Sequence, residues 1–358
     1  MSTNPTLQSP EQRAERDAAI AEFVQRFAPG PDADFYSNML RTVCRMSRDG
    51  THTAEVKLVD KALQELRYAF KTFAPYEHIQ KVTIFGSSRT PEGHPEYIQA
   101  EQFARRMCEC GWMVITGAGD GIMRAGHGGA GKEASFGVAI RLPFEQKTND
   151  IIEGDKKLVN FKYFFTRKLM FTKEAKAVVL FPGGFGTQDE GFEVMTLVQT
   201  GKTLMLPIVL IDAPGGTYWQ HWRTYVKAEL LHSGMISEDD MHLIKLTDNV
   251  EVAVQEIVQF YRRFHSYRYV RDKLVMRIKE PLPDGALPYI QKEFSDILDS
   301  GTIEASAALE EEGDDVPGLP RLVFHFNRHA HGRLRQMINY INTVDQHAAS
   351  TPTGAQSR

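Results

Sequence analysis

The sequence predicts an α/β protein, a Rossmann-like doubly wound parallel sheet with N-terminal helices and a small C-terminal appendage. Between Lys81 and Ile211 short apolar runs alternate with stretches that are apolar at helical spacing, the pattern of a parallel sheet wrapped by helices. Glycines cluster just past the ends of those runs, where an open α/β sheet binds its ligands. With 42% apolar and 25% charged residues, the 358-residue chain can bury a large core, and a predominantly disordered chain is excluded.

From about Pro10 to Ala74, apolar positions such as Val56, Val59, Leu63, Leu66 and Phe70 recur at helical spacing, with breaks at Pro29-Gly30-Pro31 and Asp49-Gly50. About three helices are expected there. At Lys81 the period changes. Val82-Thr83-Ile84-Phe85 predicts a strand, Pro95 to Cys110 a helix, and Trp112 to Ile115 a second strand. A glycine-rich segment at 117 to 131 precedes a strand near Phe136 to Leu142 and a helix near Tyr163 to Glu174. Strands at Ala177 to Phe181 and Leu206 to Ile211 flank a helix near Thr187 to Thr200. Beyond Phe264 the pattern thins to a helix at Leu287 to Leu298, a strand at Leu322 to Phe326 and a helix at Gly332 to Ile341. The expected divisions are a helical segment (1–78), a Rossmann-like core (79–264), an α/β appendage (265–343) and a flexible tail (344–358). The acidic run Glu310 to Asp315 reads as a solvated loop.

Charge and composition narrow the function. Forty-six acidic against 42 basic residues give a net charge of −4, which argues against a nucleic acid polymer as partner. Cys44, Cys108 and Cys110 lack the second ligand pair of a structural zinc site and read as reduced thiols. The first ten residues carry neither a basic nor an apolar stretch, and no window approaches a membrane span, so a cytoplasmic protein is expected. His325, His329 and His331 follow a predicted strand far from the glycine loops, and no metal site is expected from them.

Gly86 ends the first strand, Gly117, Gly119 and Gly121 follow the second, and Gly183, Gly184 and Gly186 follow the strand ending at Phe181. Three such turns converge on one crevice. The stretch Pro182-Gly183-Gly184-Phe185-Gly186-Thr187-Gln188-Asp189-Glu190 joins a buried strand to a helix, which leaves backbone N–H groups and a positive helix terminus for a phosphate. Gly117 to Gly121 is not G-x-G-x-x-G, and no G-x-x-x-x-G-K-[ST] occurs, so neither a nicotinamide fingerprint nor a P-loop is present. Glu190 and Glu193 share a face of the following helix, where they can serve chemistry or simply complement the helix dipole. Arg167-Lys168 lies on the preceding helix and by itself is compatible with a solvated surface.

The 182–190 stretch fits P-G-G-x-G-T-x-x-E, and together with Arg167-Lys168 at its spacing upstream it resembles the Lonely Guy family. Members of that family are nucleoside 5′-monophosphate phosphoribohydrolases long mislabelled as lysine decarboxylases. Gly86-Ser87-Ser88 resembles the family's first loop and Gly117 to Met123 its T-G-G-G-x-G-I-M segment, with Ala118 and Asp120 standing where glycine and proline are usual. Leu142 to Gln146 and Leu197 to Lys202 resemble segments of the longer bacterial members. The resemblance, strong over about residues 80 to 230, implies Arg167 and Glu190 as catalytic residues and Lys168 as a substrate contact. It also implies a substrate loop of Gly183, Gly184, Phe185, Gly186, Thr187, Gln188 and Asp189, with Glu145 as candidate for a further acidic contact. Gly86, Ser87, Gly117, Gly119, Gly121 and Glu193 complete the expected binding residues.

The activity so implied is hydrolysis of the N-glycosidic bond of an AMP-like or cytokinin riboside monophosphate, without cofactor, in a homodimer or higher homo-oligomer. A carboxylate can stabilise the oxocarbenium-like ribose or activate water, and phosphate held at a distance fixes the ribose against it. The rival expectation is a nucleotide-binding or sensing module without turnover. A pyridoxal-phosphate decarboxylase finds no residue-level support.

Overall fold

A computed structural model of the chain describes residues 9–141, 148–313 and 316–349. The chain divides into two compact units, Met1–Tyr68 and Ala69–Arg358. The first holds α1 (Pro10–Phe27), α2 (Ala33–Arg48) and most of α3 (Thr53–Phe73), as the apolar spacing predicts. Ser9 starts α1 with a capping box, its hydroxyl accepting from the Gln12 N–H at 3.2 Å while the Gln12 side chain accepts from the Ser9 N–H at 3.1 Å.

In the second unit, chain order gives β1 (Lys81–Phe85), α4 (Pro95–Glu109), β2 (Met113–Thr116), α5 (Ile122–Ala130), β3 (Ser135–Ile140) and β4 (Leu158–Phe161). There follow α6 (Phe164–Lys173), β5 (Ala177–Leu180), α7 (Phe185–Gln199), β6 (Ile208–Ile211), α8 (Tyr218–Tyr225), β7 (Ile244–Thr247) and α9 (Val250–Phe260). The seven strands form one parallel sheet ordered β4-β3-β2-β1-β5-β6-β7. The chain steps outward from β1 to β4 and then returns to place β5 against β1, so the topological switch point lies between those two strands. A crevice is expected at their carboxyl ends.

Strands β1, β2, β5 and β6 are buried at every residue. That is why they read as continuous apolar runs rather than alternating ones. The edge strands β4 and β7 were not expected from the sequence. Each has one covered neighbour, so half-polar sequences, Leu-Val-Asn-Phe and Ile-Lys-Leu-Thr, suffice for pairing and give no apolar run.

The C-terminal part of this unit is a second sheet. Strands β8 (Phe264–Val270), β9 (Lys273–Ile278), β10 (Leu298–Ser306) and β11 (Arg321–Phe326) pair antiparallel in the order β10-β11-β9-β8, accompanied by α10 (Ala286–Glu293) and α11 (His331–Ala349). The helix expected to reach Leu298 stops at Glu293, and α11 runs past Ile341 to Ala349. The β8–β9 hairpin escapes the sequence reading because its turn is Arg271-Asp272, with Arg271 at φ 57°, where glycine or asparagine would have signalled it.

The acidic run ahead of Pro317 is not wholly a solvated loop. Glu312 is buried, receiving Arg277 Nη2 at 2.6 Å and Arg321 Nε at 3.1 Å. Arg277 and Arg321 face each other across β9 and β11, and one carboxylate beside both relieves their repulsion. Burial alone would raise the Glu312 pKa, but the two guanidinium hydrogen bonds outweigh it and hold it below its ordinary value. Removing one partner of a buried ionic group leaves the others uncompensated, at a cost of about 3–5 kcal/mol. Glu312→Gln is expected to lose stability on that scale in urea unfolding; a change below about 1 kcal/mol would show that the cluster carries no net stabilisation.

Candidate functional site

The crevice at the switch point is a cavity of about 710 Å3 walled by the ends of β1, β2 and β5, the first half of α7, and residues of α6 and α8. Its frame is the main chain of one residue. The Ser87 N–H donates to the Pro182 carbonyl at 3.1 Å, joining the first and third loops, and the Ser87 carbonyl accepts from the Ile122 N–H at 3.0 Å, joining the first and second.

Close approach of these segments explains three glycines. A Cβ on Gly183 would stand 2.1 Å from Thr187 Oγ1 and 3.0 Å from the Ser87 nitrogen. One on Gly86 would stand 2.6 Å from the Ile122 side chain, and one on Gly121, at φ +61°, 2.3 Å from the Ser87 carbonyl oxygen. Gly184 and Gly186 differ: their Cβ positions are open space and neither has positive φ, so no packing within the chain excludes a side chain there. Both line the crevice. Gly184 precedes α7 and offers no side chain to cap it, and the first intrahelical bond runs from Gln188 N–H to the Gly184 carbonyl at 3.1 Å. The earlier N–H groups of this helix start are free for an anion.

Arg167 comes from α6 and Glu190 from the second turn of α7, with Nη2 and Oε1 3.3 Å apart; their side chains are 15% and 7% exposed. The Arg167 guanidinium lies over the rings of Phe164 and Phe171, at 5.1 and 5.4 Å, so hydrocarbon rather than water surrounds much of it. Burial raises the Glu190 pKa to about 7, against the opposing pull of Lys168 and Arg167. Burial likewise lowers that of Arg167, with Glu190 opposing. Arg167 Nε is buried and has no hydrogen-bond partner among the described residues. The site therefore holds a carboxylate able to change protonation near neutrality and a cation with a donor to spare.

Lys168, Asp189 and Glu193 do not reach the cavity wall. Lys168 Nζ bridges Asp189 at 2.8 Å and Glu193 at 2.6 Å beside it, bonds that outweigh burial and raise its pKa. Of the second loop only Gly117 and Met123 reach the wall, Gly119 and Gly121 standing behind. Glu145 lies outside the described residues. Gly86, Ser87, Gly183, Gly184, Phe185, Gly186, Thr187, Gln188, Arg167 and Glu190 are brought together.

Sequence reasoning missed Arg89, Phe171 and Tyr218. The Tyr218 hydroxyl donates to the Gly183 carbonyl and accepts from Gln188 Nε2, each at 2.6 Å, so it clasps the third loop from the far side. Its signal was the turn Pro214-Gly215-Gly216-Thr217-Tyr218 past the end of β6, a fourth glycine-containing turn at the same edge. Arg89 follows the first loop, and its side chain has no hydrogen bond or ion pair among the described residues.

Fold and site together define a Rossmann-like α/β protein with a glycine-lined crevice at its switch point. Residues 119–257 match the family model described as "Possible lysine decarboxylase". A probable cytokinin riboside 5′-monophosphate phosphoribohydrolase of Oryza sativa subsp. japonica is 26% identical over 170 residues, which are 46% of this chain and 66% of the relative. The chain spans just under two thirds of that relative's length. Among solved structures, the molybdenum cofactor binding protein of Rippkaea orientalis aligns at 14% identity and a TM-score of 0.37, over 50% of this chain and 96% of its own. The molybdenum cofactor carrier protein of Chlamydomonas reinhardtii aligns at 18% identity and a TM-score of 0.35, over 51% of this chain and 97% of its own.

The raised pKa of Glu190 has a consequence for stability. A carboxyl whose folded pKa lies above its unfolded value favours folding below the unfolded value of 4.5 and loses that contribution as pH rises through about 7. Glu190→Gln is expected to raise the melting temperature by a few degrees at pH 8.5 and to leave it nearly unchanged at pH 5. Equal shifts at both pH values would contradict a buried, titrating carboxyl.

Proposed function

We propose that the crevice hydrolyses the N-glycosidic bond of a nucleoside 5′-monophosphate, as an AMP nucleosidase or cytokinin-nucleotide phosphoribohydrolase, releasing the free base and ribose 5-phosphate. The observation that carries this reading is the placement of Glu190 one turn inside the helix whose uncapped start, flanked by Gly184 and Gly186, can hold a phosphate. Anion site and carboxylate then lie about one ribose apart, since the five residues from the helix start to Glu190 rise roughly 7.5 Å along its axis.

In this mechanism the phosphate sits on the free N–H groups at the start of α7, with Arg89 adding charge from the first loop. Its binding energy fixes the ribose over Glu190. As the bond from C1′ to the base nitrogen breaks, both electrons leave with the base, and positive charge grows on C1′ and the ring oxygen. The Glu190 carboxylate stabilises that charge and takes a proton from the water that adds to C1′, and the departing base nitrogen takes up a proton from solvent, which completes the neutral free base. Arg167 holds the carboxylate in place and offers its spare donor to substrate oxygens. The role requires ionised Glu190, so kcat/KM is expected to rise with pH through an apparent pKa of about 7.

With AMP and a panel of other nucleoside monophosphates, chromatography is expected to show free base and ribose 5-phosphate. Glu190→Gln should lower kcat at least 100-fold and abolish the rising limb of the profile. No base released from any panel member, or full turnover by Glu190→Gln, would refute the reading.

A homo-oligomer fits the same region. Phe164 and Phe165 on α6 and Phe185 and Phe192 on α7 are 52, 54, 95 and 36% exposed, an apolar surface suited to a second copy of the chain. Light scattering is expected to give at least a dimer, and Phe165→Glu to shift it toward monomer; a monomeric wild type would remove this part of the proposal. A cytoplasmic setting suits the substrate and the three free cysteines. No described helix is long and apolar enough to cross a membrane.

A further inference from the structure

The first unit has almost no core of its own. Among its described residues the buried apolar side chains are Ile20 and Val24 of α1, too few to hold its helices together. The missing contact shows on α2. Its buried residue is Ser37, and two residues further on the helix has turned by about 200°, so Met39 faces the opposite way. Phe35, Tyr36, Met39 and Val43 share that face, at spacings of three, four and seven residues, and are 68, 45, 45 and 57% exposed. A helix that covers its serine and leaves its apolar stripe in water needs a partner on the stripe. On α1, tied to α2 by an Arg41–Asp17 ion pair at 3.6 Å, Phe23 and Phe27 are exposed as well.

The charges on α2 say what that partner is. Asp34 lies in the first turn and Arg45 in the last, and neither has an ion pair or side-chain hydrogen bond among the described residues. Eleven residues separate them, close to three full turns, so both stand on one flank of the helix. The helix dipole asks for acid at the start and base at the end, but not for a common flank. Asp34 and Arg45 are equally far from the point between Met39 and Leu40, and so are Tyr36 and Val43. Turned end for end about that point, α2 therefore sets acid against base and stripe against stripe on a copy of itself. A parallel copy would set Asp34 beside Asp34 and Arg45 beside Arg45, which like charges oppose.

We infer that α2 is a self-association surface that pairs antiparallel with α2 of a second copy of this chain, about a two-fold axis between Met39 and Leu40. Two α1–α2 hairpins so joined form a four-helix bundle, which covers the stripe that one chain leaves bare. The pairing does not depend on the chemistry of the crevice. It is also distinct in sequence from the apolar surface of α6 and α7 proposed above, so with both faces in use the expected assembly is a tetramer.

Sedimentation velocity of the full chain reads the two faces separately. Met39→Glu places a charge at the centre of the stripe and should halve the mass in two backgrounds, from tetramer to dimer in the wild type and from dimer to monomer in Phe165→Glu. In the Phe165→Glu background, Asp34→Arg or Arg45→Asp alone should raise the dimer dissociation constant about tenfold, because the two-fold axis repeats each like-charge contact. Asp34→Arg and Arg45→Asp together should return it to within threefold. That double exchange opposes the helix dipole at both ends, so a role confined to helix stability predicts a further loss instead of recovery. Should Met39→Glu loosen the helices, the charge exchange decides the matter. A mass that Met39→Glu leaves unchanged, a fully monomeric Phe165→Glu chain, or a charge exchange that recovers nothing would overturn the pairing and leave the stripe to another segment of this chain or to a different protein. A Phe165→Glu chain that keeps the wild-type mass while Met39→Glu halves it would refute the α6–α7 face and leave the α2 pairing standing.

Discussion

The site depends on the main chain of Ser87. Its N–H is bonded to Pro182 and its carbonyl to Ile122, so loops from three different strands meet within hydrogen-bonding distance of one residue. Backbones brought that close leave no room for a Cβ at Gly86, Gly121 or Gly183. Parallel strands β1, β2 and β5 end at the same level of the sheet, and the switch between β1 and β5 turns their loops toward one another. The crevice follows from strand order, and the glycines are what allow that order to close it.

Within this frame two groups are kept out of water. Burial makes an ionised carboxylate costly, and the neighbouring Arg167 and Lys168 offset only part of that cost, so Glu190 titrates near neutrality. The same low dielectric strengthens its effect on any charge developing beside it. Lys168, Asp189 and Glu193 form a more exposed cluster alongside, which holds the first turns of α7 against α6 without entering the cavity. A stretch that reads as one motif thus divides into residues that face the ligand and residues that fix the helix bearing them.

Much of this was legible in the residues. Continuous apolar runs announced β1, β2, β5 and β6 because those strands are covered on both faces. Edge strands β4 and β7, half exposed, left no such trace. Tyr218 was missed because its part in the site arises from a clasp across 35 residues, and Glu312 because an acidic run looks solvated unless two arginines are known to face it.

The sequence by itself determined which residue types stand at the strand ends, since a tight turn, an uncapped helix start and a carboxylate one turn in are local properties of consecutive residues. Tertiary structure alone decided which glycines answer to packing and which leave the crevice open. It also decided that Glu190 is buried against Arg167. Each of these is set by atoms from segments far apart in the chain, and dielectric, steric exclusion and hydrogen-bond polarity exist only after those segments have been brought together.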